Sequence, residues 1–266
     1  MTDYPKFPKD TSGLRILVSN DDGINAPGLK VLEKIAKTLS KDVWVVAPET
    51  EQSGVSHSLT MHEPLRVRKI NAKKYAVNGT PTDCALLAIK TIVPKRKPID
   101  LILSGINPGE NLACDVTYSG TVAVTIEGTL LHTPSIALSM SRGFGQPVKW
   151  RTVEHHAPAL IKKILTTTWP KGTLLNVNFP DVEPKAVKGV KLTPMGLRAP
   201  NDKVEKRTDT FGRTYYWVGV PHTHVYDKED NDLVWNARGY ITITPISLDM
   251  TNYKVMQDLR GTLETK

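Results

Sequence analysis

Asp21 and Asp22 stand side by side at the end of the apolar run Ile16-Leu17-Val18-Ser19-Asn20, with Gly23 directly after them. Two adjacent carboxylates beyond a buried strand repel each other and need a counter-charge, most cheaply a divalent cation. The competing reading is a solvated Asp-Gly turn. Two more oxygen donors follow apolar runs in the same way. Ser53 lies in Glu49-Thr50-Glu51-Gln52-Ser53-Gly54 after Val43–Ala47, and Asn107 lies in Ser104-Gly105-Ile106-Asn107-Pro108-Gly109 after Ile99–Leu103. Each alone would pass for a turn residue. Together, Asp21, Asp22, Ser53 and Asn107 form an all-oxygen set suited to a hard cation such as Mg²⁺ or Mn²⁺, with positions left for water and substrate. Gly79-Thr80 and Ser119-Gly120-Thr121 open two predicted helices, where hydroxyls, backbone N–H groups and the helix dipole favour a phosphate. The same hydroxyls also serve as ordinary helix caps.

These residues need elements that bring them to one edge. Leu29, Leu32, Ile35, Ala36 and Leu39 recur at helical spacing after Gly28, between the strand ending at Asp21 and the strand Val43–Ala47. Ser58–Thr60, Leu65–Ile70 and Tyr75–Val77 read as short strands of a small hairpin excursion beside the main sheet. Thr80-Pro81-Thr82-Asp83 has the order of a capping box with proline at the first helical position. Strands at Ile99–Leu103, Ser135–Leu138 and Leu174–Asn178 then alternate with helices after Ser119 and around Leu160–Leu165. Such alternation predicts a doubly wound, mostly parallel, Rossmann-like α/β sheet over residues 1–184. In such sheets ligands bind beyond the carboxyl ends of the strands, which is where the loops carrying Asp21, Asp22, Ser53 and Asn107 begin.

From 185 to 266 the character changes, with short strand-like pieces separated by proline, glycine and charge. This stretch reads as a β-hairpin-rich arm. Isolated hairpins are marginal in water, so Trp217, Val218, Val234, Trp235 and Ile241 need a surface, which a second copy of the chain can supply. The expectation is a homodimer or tetramer joined through this arm.

Composition narrows the class of protein. The 266 residues are 39% hydrophobic and 23% charged, enough for a full globular core. No apolar run is long enough to span a bilayer and the first residues lack a secretory pattern, so no membrane partner and a cytoplasmic location are expected. Cys84 and Cys114 have neither disulfide-framework nor zinc spacing. The net charge of +8 suits an anionic partner. The short basic clusters lack interleaved aromatics, so no stable nucleic-acid complex is expected.

The motifs Ser19-Asn20-Asp21-Asp22-Gly23 with Ala26-Pro27-Gly28, Ala47-Pro48 with Gln52-Ser53-Gly54, Asn78-Gly79-Thr80-Pro81-Thr82-Asp83, and Ser104–Gly109 with Tyr118-Ser119-Gly120-Thr121-Val122 resemble those of the SurE-type nucleotidases. Ser247-Leu248-Asp249-Met250-Thr251 is similar to that family's C-terminal stretch. The resemblance implies one divalent metal per subunit held by Asp21, Asp22, Ser53 and Asn107. It also implies hydrolysis of nucleoside 5′- and 3′-monophosphates, with short polyphosphate as a further substrate. Asp21 and Asp22 would then be catalytic, and Asn107, Gly79, Thr80, Ser119, Gly120 and Thr121 would face the substrate. Attack by water or directly by an aspartate both remain open, and His57, near Ser53 in the chain, is a candidate proton donor. Asn111-Leu112-Ala113-Cys114-Asp115 departs from the glycine-rich loop expected there. Related readings are a broader acid phosphatase or exopolyphosphatase on the same fold and a nucleotide-binding module without turnover.

Overall fold

The computed structural model describes residues 2–198, 204–219 and 230–264. Its first strand, β1 (Arg15–Ser19), is buried at every position, as a central parallel strand covered on both faces must be. Helix α1 (Pro27–Leu39) starts with proline in its first turn and buries Leu29, Leu32, Ile35, Ala36 and Leu39. Gly28 lets it settle on the sheet, because a Cβ there would lie 2.0 Å from the carbonyl oxygen of Ile106.

After β2 (Asp42–Pro48) come the hairpin β3 (Val67–Asn71) and β4 (Lys74–Val77), helix α2 (Pro81–Leu87), β5 (Leu101–Pro108), α3 (Gly120–Leu130), β6 (Ser135–Met140), α4 (Trp150–Leu165) and β7 (Thr173–Phe179). The C-terminal segment adds β8 (Val190–Leu192), β9 (Val204–Thr208), β10 (Thr214–Val218), α5 (Asp232–Ala237), β11 (Ile241–Ser247) and α6 (Tyr253–Leu263).

Among the described residues the main sheet has nine strands in the order β3-β4-β2-β1-β5-β6-β7-β11-β8. From β4 to β7 all neighbours are parallel. Helices α1 and α4 pack together on one face, and α2 and α3 on the other. The chain leaves β1 toward β2 on one side and later returns to β5 on the other, so β1 and β5 flank the switch point. Ser19 pairs with Ser104 there, which places the residues after β1 beside the end of β5.

Three expectations change. The β3–β4 hairpin belongs to the main sheet, with β4 parallel to β2. Ser58–Thr60 is a loop because its polar groups turn toward α2: the Thr60 N–H and hydroxyl both donate to Asp83, and the Ser58 carbonyl accepts from Thr80. After residue 184 the chain also returns to the sheet, since β11 runs antiparallel to β7 and β8 is parallel to β11. Ile241 and Val234 are therefore buried within their own chain, at 1% and 7% exposure. Val234 and Trp235 lie in a helix capped by Asn231, not in a strand. The antiparallel hairpin β9–β10 stands outside the main sheet, with every strand position exposed, and α6 buries none of its residues.

Candidate functional site

Asp21 is 4% exposed and its neighbourhood is built from three elements. The Thr121 hydroxyl, fully buried in the first turn of α3, donates to Asp21 Oδ1 at 2.5 Å. Gly120 makes that approach possible, because a Cβ on it would sit 2.6 Å from the Asp21 Cβ and 3.0 Å from Pro81 at the start of α2. The Gln52 N–H donates to the Asp21 carbonyl at 2.8 Å, and the Ile24 N–H donates to that of Pro48. These bonds tie the loop after β2, which carries Ser53, to the loop after β1.

Asp22 has a different environment. Its Oδ2 is buried and has no hydrogen-bond partner, a costly state for a carboxylate oxygen. Burial, then the charges of Asp21 and Glu51, push its carboxyl up to about 7, while Arg142 pulls the other way. Burial also raises the Asp21 carboxyl, partly offset by its bond from Thr121. Two carboxylates, one with an orphaned oxygen, in a pocket that resists their ionisation fit a bound cation, which would favour both charges and supply the missing partner. Asn107, at the end of β5, donates its amide N–H to the Gly109 carbonyl, leaving its Oδ1 as an acceptor. Ser53 is exposed and donates to Glu51 at 2.8 Å. No group of three or more His, Cys, Asp or Glu side chains gathers in a metal-holding arrangement among the described residues, so the candidate donor set depends on the hydroxyl and amide oxygens.

The two helix starts differ. Ser119 Oγ accepts from the Val122 N–H, which leaves its own proton to donate. Thr80 is occupied on both sides: its hydroxyl donates to the Ser58 carbonyl and accepts from the Asp83 N–H, and its N–H goes to Asp83 Oδ2. A Cβ on Gly79 would lie 2.6 Å from Leu65 and 2.7 Å from Asp83. Gly79 and Thr80 thus close a capping box, and α2 reaches the site through Pro81. His57 is not beside the carboxylates. It pairs at 3.0 Å with the buried Glu127, seven residues past Gly120 and so about 10 Å along the α3 axis from its start.

A cleft of about 360 Å³ opens next to this edge, lined by Glu49, Thr50, Gln52, Thr60, Glu63 and Asn78-Gly79-Thr80. A larger groove of about 500 Å³ lies toward the opposite ends of β2 and β4. Its lysines 37, 73 and 74 are paired with Glu33 or Asp42, and none of the candidate donors lines it, so size alone does not mark the site.

The family model described as "Survival protein SurE" matches residues 16–202. The chain belongs to the SurE family. It is 53% identical over 250 residues to the 5′-nucleotidase SurE of Paramagnetospirillum magneticum, covering 94% of this chain and 96% of that one. With the 5′-nucleotidase SurE of Parvibaculum lavamentivorans it is 52% identical over 258 residues, 96% of this chain and 93% of the relative. The crystal structure of the SurE protein from Aquifex aeolicus superposes with a TM-score of 0.80 at 41% identity, covering 93% and 98% of the two chains.

In this SurE chain the loop between Asn107 and Ser119 is held by residues on both sides of the end of the matched stretch. Asp232, fully buried, accepts from the N–H groups of Ala113, Gly196 and Leu233. Arg198 donates to Asp115 at 2.7 Å. Local motif reading missed these, since only the fold brings 198 and 232 to the loop. It also missed Glu51 and Arg142, although the strand-edge rule already used for β1, β2 and β5 would have pointed to Arg142 after β6.

Proposed function

We infer that this chain is a 5′-nucleotidase of the SurE family, a phosphoric monoester hydrolase working at the β1–β5 switch point. The observation that carries this reading is the adjacent buried pair Asp21 and Asp22 with the unpartnered Asp22 oxygen. A nucleotide-binding module without turnover would have no use for two negative charges where a phosphate must come.

Asp21, Asp22, Ser53 Oγ and Asn107 Oδ1 would hold one divalent cation, Mg²⁺ or Mn²⁺. Bound there, it would supply Lewis-acid stabilisation of phosphoryl charge and a more acidic water. Asp21 is committed to Thr121 and packed on Gly120, so its role is to hold. Asp22 keeps a free oxygen and is the carboxylate left to orient the attacking water and accept its proton. The Ser119 hydroxyl donates to a phosphoryl oxygen, beside the positive end of the α3 dipole. Water oxygen bonds to phosphorus, the ester P–O bond breaks, and the proton taken from water ends on the nucleoside hydroxyl. Both 5′- and 3′-monophosphates, and short polyphosphate, present this same terminal group.

The test is phosphate release from a panel of nucleoside monophosphates and polyphosphate, before and after chelation and with Mg²⁺ or Mn²⁺ restored. Release that needs no added metal, or none from any nucleotide, overturns the reading.

We also propose that the chain works as a homodimer or tetramer. The support is the exposed apolar surface after residue 203: Phe211, Tyr216, Trp217 and Val218 on the hairpin, and Val255, Leu259 and Leu263 on α6. Truncation after Asn236 would strip β11 from the sheet, so the informative truncation ends at Asp249 and removes only α6 and its flanks. Light scattering should show a smaller particle for that truncation than for the full chain. A monomeric, fully active intact protein would refute this assembly.

A further inference from the structure

Arg142 lies just past β6, the strand beside β5. Asn107 pairs with Ser139, and Gly109 bridges to Met140, so the backbone reaches Arg142 as it leaves the Asn107 edge. On either side of it the backbone is pinned. The Ser141 N–H donates to the Phe179 carbonyl at 2.9 Å and its hydroxyl to Asn236 Oδ1 at 2.8 Å. The Gly143 N–H donates to Asp181 Oδ2 at 2.9 Å, and Lys149 holds the other oxygen of Asp181.

The head of this arginine is treated differently. Arg15 and Arg198 are buried and paired with carboxylates. Arg142 is exposed and has no hydrogen bond or ion pair among the described residues. An exposed arginine is ordinarily just solvated. Here the strand register sets Arg142 two residues past the Met140–Gly109 bridge, on the same sheet edge as Asn107, and no carboxylate holds its head, so an anion arriving at that edge can take it. Topology says from where it is gripped. Ser119 begins α3, on one face of the sheet, while Arg142 is in the loop leading to α4, on the other face. A dianionic phosphoryl group held at the carboxylates by a cation would then meet donors from both faces, and a guanidinium fork matches two of its oxygens.

We propose that Arg142 is a substrate-binding residue of this site, donating to the phosphoryl oxygens on the side opposite Ser119. The proposal rests on the phosphomonoesterase reading of the site and names a residue which that reading does not require.

The experiment compares wild type, Arg142→Ala and Arg142→Lys as full-length, Mn²⁺-loaded proteins. Calorimetric binding of inorganic phosphate is measured beside KM and kcat for a nucleoside 5′-monophosphate. Loss of a charge-assisted pair predicts at least ~10-fold weaker phosphate binding and a matching rise in KM for the alanine variant. Its melting temperature should be unchanged, and lysine should recover part of the loss. Phosphate affinity and KM within about two-fold of wild type would overturn the role of Arg142, even with a fully active enzyme. If wild type turns over no monoester and phosphate binding still weakens in Arg142→Ala, Arg142 stands and the activity reading falls.

Discussion

The N-termini of α2 and α3 look alike in the sequence, each a glycine beside a hydroxyl residue, and they meet in space where Pro81 approaches Gly120. Their polar groups nevertheless go to different places. At α2 the end closes on itself, with Thr80 and Asp83 satisfying each other in a capping box and Ser58 taking the remaining hydroxyl proton. At α3 the cap falls to Ser119, one position before the helix, which frees Thr121 to reach back across the chain to Asp21. One end spends its donors on its own stability. The other spends them on a carboxylate, so the same chemistry near a second element becomes a site.

The largest effect should come from removing the charge that α3 and its neighbours surround. Asp22→Asn should lower metal-dependent turnover by at least ~100-fold, and phosphate release within a few-fold of wild type would remove Asp22 from the mechanism. Stability should move the other way. In the metal-free fold burial and the charges of Asp21 and Glu51 push the Asp22 carboxyl up to about 7, above its unfolded value, so the stabilisation from its proton is full below about pH 4 and is lost as pH rises from there through about 7. Melting curves of the apo variant should match wild type below about pH 4, rise above it as pH increases, and show the full difference near about pH 8.

Gly120→Ala against Gly79→Ala breaks the comparison sterically. An added methyl at 120 drives Asp21 off its position, with an expected activity loss of about 100-fold for a displacement near 1 Å. The methyl at 79 presses on the end of Leu65 and on the capping box, so the melting temperature should fall while turnover per folded molecule survives. Equal losses of activity in both would mean that the two helix ends serve the site alike.

Thr121→Val against Thr80→Ala separates the two uses of a hydroxyl. Losing the donor to Asp21 should weaken Mn²⁺ binding by about ten-fold, measured by direct titration. Losing the cap at α2 should cost about 1 kcal/mol of stability with kcat/KM unchanged. The comparison would collapse if Thr80→Ala altered metal affinity as much as Thr121→Val.

Ser119→Ala should give the smallest effect, because Ser119 combines both roles. The expected cost is about 1 kcal/mol of stability together with a few-fold rise in KM. A drop in melting temperature with unmoved Michaelis parameters would leave Ser119 as a cap and nothing more.

Much of the site edge could be read from local pattern. Asp21-Asp22 does follow a fully buried strand and the loop with Ser53 does leave the end of β2, whereas β5 runs on to Pro108, so Asn107 is the strand's penultimate residue and not part of the loop expected after Leu103. The polar partners were not legible: the pairing of His57 with Glu127 and the grip of Asp232 on Ala113 join positions 70 and 119 residues apart. Local pattern also failed after residue 184. Helix α5 spans only six residues, too few for a periodicity to stand out, β8 has only three, and the partners of β11, β7 and β8, lie far away in the chain.

The sequence by itself determined the alternation of strands and helices and the residue types placed at the ends of β1, β2 and β5. Both follow from local rules: apolar periodicity, capping residues, and carboxylates excluded from strand interiors by the cost of burying charge. Only the tertiary structure decided which of two similar helix starts would hold Asp21, which side chain would be left with an unpartnered oxygen, and that strands from the C-terminal segment would complete the sheet. Those outcomes depend on close approach between distant segments. A hydroxyl satisfies whichever acceptor the fold brings within reach, and no local pattern records which one that will be.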